Sequence, residues 1–98
     1  MKVRISNDQI RYRLNASEVD ALCRGEVVAV GVDESISFSI AVGTGYEPLW
    51  TLSDGDHALA IPISAFRSPS TADPLVYCSP DTTRPVFLVE LDLKPRRP

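Results

Sequence analysis

The sequence predicts an α+β fold: a curved antiparallel β-sheet or partly closed barrel of about six or seven strands, with one short helix after the first hairpin. Three observations carry this reading. Runs in which apolar and polar residues alternate recur from MKVRIS to VFLVELDL. Two-residue polar corners, Asn7-Asp8 and Asp54-Gly55, separate two pairs of such runs. One segment alone, NASEVDALCRGE, has helical spacing together with a start and a stop signal.

The first fourteen residues form a hairpin with opposed faces. A two-residue turn at Asn7-Asp8 pairs Ser6 with Gln9, Ile5 with Ile10, Arg4 with Arg11, Val3 with Tyr12, Lys2 with Arg13 and Met1 with Leu14. Opposed residues share a face, so Met1, Val3, Ile5, Ile10, Tyr12 and Leu14 stand on one side and the charged residues on the other. The helix then runs from Ala16 to Arg24. Asn15 caps it, Glu18 stands at the capping-box position, and Gly25 supplies the left-handed stop. Val19, Leu22 and Cys23 give its apolar face, which is too short to be stable unpacked; the apolar face of the hairpin is the nearest surface for it.

Residues 26–33, EVVAVGVD, read as a strand partly buried on both sides, with Gly31 at a bulge or a close backbone approach. Residues 35–42, SISFSIAV, read as a half-buried strand with Ile36, Phe38, Ile40 and Val42 inward and serines on a solvated face. Leu49–Ser53 and Asp56–Ile63 form the second hairpin around Asp54-Gly55. Its pairing puts His57 on the face of Trp50, Leu52, Leu59 and Ile61, a packing position. After Pro62 a single helical turn fits Ser64–Arg67. The segment from 68 to 85 is irregular, with prolines at 69, 74, 80 and 85, and only LVYC, residues 75–78, adds a short edge strand. The last strand places Phe87, Val89, Leu91 and Leu93 on one face and Leu88, Glu90, Asp92 and Lys94 on the other, before a frayed tail from Pro95 to Pro98.

Length and composition bound the function. At 98 residues, with 44% hydrophobic and 23% charged residues, the chain is one globular domain spanning 1–98. Its net charge of −3 and pI near 5.0 disfavour nucleic acid as a partner. No apolar run reaches the roughly 18 residues of a membrane span, and the opening lacks a signal-peptide core, so no membrane partner is expected and the expected location is the cytoplasm. Cys23 and Cys78 read as reduced, buried thiols. No metal-ligand spacing, cofactor motif or catalytic constellation is present, so no metal, no cofactor and no catalytic residue is expected.

The charged side of the first hairpin is the one concentration of chemistry. Lys2 opposite Arg13 and Arg4 opposite Arg11 are like charges across a ladder, which is destabilising unless offset. Glu90 and Asp92 alternate on the last strand, and that strand beside the first hairpin would put them against Arg4, Arg11 or Arg13 as ion pairs. Alternatively Lys2, Arg4, Arg11 and Arg13, with Glu90 and Asp92 at their margin, form a ligand site for phosphate or carboxylate groups.

Two resemblances bear on these residues. MKVRISNDQIRYRLNASEVDAL resembles an uncharacterised family of small bacterial proteins that open M-K-[IV]-R-I, then I-R-x-R-L, then a T/N-x-S-E-V helix start; LSDGDHALAIPISAF and VFLVELDL sit where that family has a D-G hairpin and a final strand. The resemblance implies that Arg4, Arg11, Arg13, Ser17, Glu18 and Glu90 belong to the family pattern, with no activity attached. Glu90-x-Asp92-x-Lys94 resembles the E-x-E-x-K strand of the triphosphate-tunnel barrels, on that strand alone, and implies a site for a phosphorylated molecule. The leading reading is a non-catalytic binding or protein-interaction domain, with a protein partner or a second copy of itself. The other is an enzyme or sensor binding a phosphorylated or carboxylated small molecule at the arginine face.

Overall fold

The computed structural model describes residues 1–31, 33–46, 48–80, 82 and 85–92. Within them the chain runs β1 (Lys2–Ser6), β2 (Gln9–Leu14), α1 (Ala16–Cys23), β3 (Val28–Gly31), β4 (Ser37–Gly43), β5 (Leu49–Ser53), β6 (Asp56–Pro62), a 3₁₀ turn (Ile63–Ala65), β7 (Leu75–Cys78) and β8 (Val86–Leu91). Successive strands pair antiparallel as β1–β2, β3–β4, β5–β6 and β7–β8. The first and last of these pairs join into one sheet, ordered β1-β2-β8-β7; the two inner pairs join into another, ordered β3-β4-β6-β5. Both joints, β2 with β8 and β4 with β6, are parallel.

The single antiparallel sheet of about six or seven strands is therefore corrected to two mixed sheets with eight strands among the described residues, and no barrel closes. Alternation reports which side of a sheet a residue faces; it carries no information on the direction or identity of the neighbouring strand. The inner faces of both sheets share one apolar core. Ile10, Tyr12, Leu14, Tyr77, Phe87 and Val89 of the first sheet meet Val28, Phe38, Ile40, Leu59 and Ile61 of the second, with Val19 and Leu22 of α1. Trp50 on β5 lies with its ring 5.9 Å from that of Phe87 on β8, a contact between the sheets.

Both ends of α1 follow from its sequence. The Asn15 side chain accepts from the Glu18 N–H at 2.8 Å and Glu18 Oε1 accepts from the Asn15 N–H at 2.9 Å. At the other end Gly25 has φ +80°, its N–H donates to the Leu22 carbonyl and the Glu26 N–H to that of Ala21, the paired bonds of a Schellman stop. Two expectations fail here. Cys23 is exposed, as is Cys78, so neither thiol is a core residue. The helix packs mainly on β3 and β4 rather than on the first hairpin, to which Glu18 is tied through the Met1 amino group at 2.6 Å.

The Asp54-Gly55 corner takes φ of +51° and +79°, the left-handed pair expected of a two-residue hairpin turn. A Cβ on Gly55 would stand 1.8 Å from the Ser35 carbonyl oxygen, so the position admits only glycine. Asn7 and Asp8 do not take positive φ, although their hairpin has the expected register. The Asp8 carbonyl instead accepts from Val86 N–H at 2.7 Å, where the parallel ladder to β8 begins.

The other strands need smaller corrections. In β3, Val28 is buried while Ala29 and Gly31 are exposed; the strand is covered on one side, and Gly31 pairs regularly with Ser37. The serine face of β4 is not simply solvated: Ser39 is buried, and Asp56 accepts from the Ser37 and Ser39 hydroxyls at 2.8 and 3.0 Å. Edge strand β7 forms where expected. A register shift between Leu75 and Tyr77 lets it bury both Val76 and Tyr77. Val32, Leu93, Lys94 and the tail from Pro95 lie outside the described residues.

Candidate functional site: the basic face of the first sheet

The outer face of the first sheet is built by register. Lys2 stands opposite Arg13 and Arg4 opposite Arg11 on the β1–β2 ladder. Parallel pairing of β8 then sets Glu90 beside Arg13 and Leu88 beside Arg11. The acidic strand thus lies next to β2, not next to β1. Distance from β8 and position along the strands together decide which cations it reaches: on β1, Lys2 lies at the Asp92 end and Arg4 does not.

Glu90 Oε1 accepts from Arg11 Nε at 2.7 Å, lies 2.5 Å from Arg11 Nη2, and accepts from Arg13 Nε at 3.3 Å. Lys2 Nζ is 3.4 Å from Asp92 Oδ2. Arg4 has no ion pair among the described residues. Among the described residues, these four cations and two carboxylates leave two positive charges on this face. Lys2, Val3, Arg4, Arg11 and Arg13 surround an open depression of about 210 Å³.

The carboxylates do two things to the arginines. They relieve the like-charge opposition across β1–β2, and they hold the Arg11 and Arg13 side chains, each about one-third exposed, in fixed positions. Ion pairs with this exposure contribute up to about 1 kcal/mol each, so their main effect is on geometry. A guanidinium already held by one carboxylate oxygen still has N–H donors for a second anion. Among the described residues no side chain accepts from the Arg4 guanidinium, which leaves it for a ligand.

His57, the one histidine, is placed where its register predicts. Its ring stacks between Phe38, at 4.8 Å and 17°, and Trp50, at 5.8 Å and 25°. Its Nδ1 is buried without a hydrogen-bond partner among the described residues. The ring belongs to the packing between the sheets. Among the described residues no three His, Cys, Asp or Glu side chains are grouped to hold a metal ion, and no helix is long and apolar enough to cross a membrane.

Two features carried no sequence signal. Among the described residues the buried Tyr12 and Tyr77 hydroxyls find no hydrogen-bond partner. The two rings lie on one rib of the first sheet, on either side of Val89. Burial pushes the Tyr12 phenol up to about 12 and raises that of Tyr77. Alternation predicts inward tyrosines; it does not say whether a hydroxyl finds a partner. The Ser37–Asp56–Ser39 cluster was equally hidden, because it depends on β4 lying parallel to β6.

Fold and site define a small two-sheet α+β protein with a basic, partly neutralised sheet face. The chain belongs to a family of unknown function (DUF7009), whose profile matches residues 1–65. That span contains Lys2, Arg4, Arg11 and Arg13; Glu90, Asp92 and the VFLVELDL strand lie beyond it. No curated protein and no solved structure matches the chain. The tunnel implied by the E-x-E-x-K resemblance has no counterpart, since the strands form two open sheets, and Lys94 lies outside the described residues.

Proposed function

We propose that this chain is a non-catalytic anion-binding module that holds a phosphate- or carboxylate-bearing molecule on the outer face of β1 and β2. The observation that carries the reading is Arg4: a guanidinium without an ionic partner among the described residues, opposite Arg11 on the ladder and at the rim of a basic depression. Arg11 and Arg13, held by Glu90, are preorganised for the same ligand, which lowers the entropy lost on binding. Two uncompensated positive charges suit a dianion, such as a phosphomonoester or a dicarboxylate, better than a monoanion. Apart from Val3 the described lining is cationic, and its one amine, Lys2, is paired with Asp92 at 3.4 Å, which favours holding an anion.

A thermal-shift screen with inorganic phosphate, pyrophosphate, phosphorylated sugars and citrate tests this. A ligand at a hundred times its dissociation constant adds about 2.7 kcal/mol of stability. The expected result is a shift with at least one dianion that disappears in the Arg4→Ala, Arg11→Ala double variant. A shift that persists in that variant places the anion elsewhere and overturns the proposal.

A further inference from the structure

The four sheet edges of this fold are not equivalent. Edge strands normally carry a device that prevents pairing with another chain: charge, shortness, a bulge or a covering segment. Strand β1 carries Lys2 and Arg4. Strand β3 has only four residues. Strand β7 is equally short, has a register shift, and has its Val76 carbonyl taken by the Arg67 N–H at 2.9 Å. Among the described residues, strand β5, LWTLS, has none of these: all five residues are exposed, none is charged, and its pairing with β6 is regular. Pro48 stands before the strand and leaves its N–H groups intact.

We propose that two copies of this chain pair through β5, antiparallel and about a dyad at Thr51. The register follows from the hairpin. Ser53 and Asp56 flank a two-residue turn, so Ser53, Thr51 and Leu49 direct their backbone groups to β6, while Trp50 and Leu52 direct theirs to the open edge. Antiparallel pairing about Thr51 sets Trp50 opposite the partner subunit's Leu52, and each pair exchanges both N–H···O bonds. The same register covers Leu52, 62% exposed, and Trp50, 38% exposed, with each other across the dyad. An uncharged strand is what allows this: β1 paired with its own copy would oppose cations, whereas β5 opposes apolar side chains and a threonine pair. The contact is isologous and closes at two copies, joining two four-stranded sheets.

Thr51 at the dyad makes the proposal testable, because it faces its own copy and its side chain is exposed. Sedimentation velocity of the full chain over a concentration series is expected to show a monomer–dimer equilibrium. Thr51→Lys and Thr51→Glu, each alone, are expected to be monomeric at concentrations where the unaltered chain is dimeric, with unchanged circular dichroism. Mixed in equal amounts they are expected to recover the dimer. An unaltered chain that stays monomeric at its highest soluble concentration overturns the proposal and leaves the edge to a foreign extended segment. Dimers that persist in both single variants, or a mixture that stays monomeric, overturn the register.

Discussion

Arg11 and Glu90, 79 residues apart in the chain, lie 2.5 Å from one another across the joint between β2 and β8. The same carboxylate oxygen also accepts from Arg13. One acid thus ties the last strand to the first hairpin and offsets the repulsion between the hairpin's own cations. Replacing it separates those roles. Glu90→Gln is expected to lower stability by about 1 kcal/mol, measured by urea denaturation, while increasing the thermal shift produced by phosphate, because one competing negative charge is gone and an amide oxygen still accepts from Arg11 and Arg13.

Gly55 is the position least tolerant of a side chain. Gly55→Ala forces a Cβ onto the Ser35 carbonyl at a residue whose φ is +79°. Relief requires moving the Ser35 backbone and with it the bond from Ser37 N–H to the Gly55 carbonyl. A loss of about 3 kcal/mol or more is expected, read as a lower urea midpoint with little change in slope.

The cap of α1 has a simpler signature. Asn15→Ala removes the acceptor for the Glu18 N–H and is expected to destabilise by about 1 kcal/mol, whereas Asn15→Ser keeps most of the stability. Equilibrium denaturation of both variants distinguishes a lost cap from a general effect of substitution.

Tyr12 links stability to alkaline pH. Its folded pKa is raised from 10.0 to about 12, so between those values the unfolded chain has lost the phenolic proton and the folded chain has kept it. The unfolded state binds fewer protons, so stability falls as pH rises from about 10 to about 12, by on the order of 2–3 kcal/mol in total. Tyr77, shifted in the same direction, adds to the fall. Tyr12→Phe removes a buried hydroxyl without a partner; it is expected to be neutral or stabilising at pH 7 and to flatten the alkaline slope.

What the sequence made legible was local. The register of the first hairpin, the Asp54-Gly55 turn, both ends of α1 and the edge strand at Leu75–Cys78 rest on turn chemistry, capping and alternation within a few residues. Of the pairings between distant segments, charge made one legible, the last strand beside the first hairpin with Glu90 against its arginines; the direction of that joint and the whole of the inner one were not. Nothing in VFLVELDL says that it runs parallel to β2, and nothing in SISFSIAV says that it runs parallel to β6. The two-sheet arrangement, the buried Ser39 and the division of cations between those that reach Glu90 or Asp92 and the one that does not all depend on those parallel joints. Cys23 illustrates the same limit on a smaller scale: helical spacing put it beside Val19 and Leu22, but packing on β3 and β4 covers those two and leaves it outside.

The most direct measurement is a titration of inorganic phosphate into the ¹⁵N-labelled chain, following the arginine Nε–H resonances by NMR. Arg24 and Arg67, each paired at 2.6 Å with Glu26 and Asp73, serve as internal controls away from the basic face. The predicted result is a saturable shift of Arg4, accompanied by Arg11 and Arg13, with Arg24 and Arg67 unmoved. An unshifted Arg4, or equal, non-saturating shifts at all five of these guanidinium groups, would contradict the assignment of this face as an anion site.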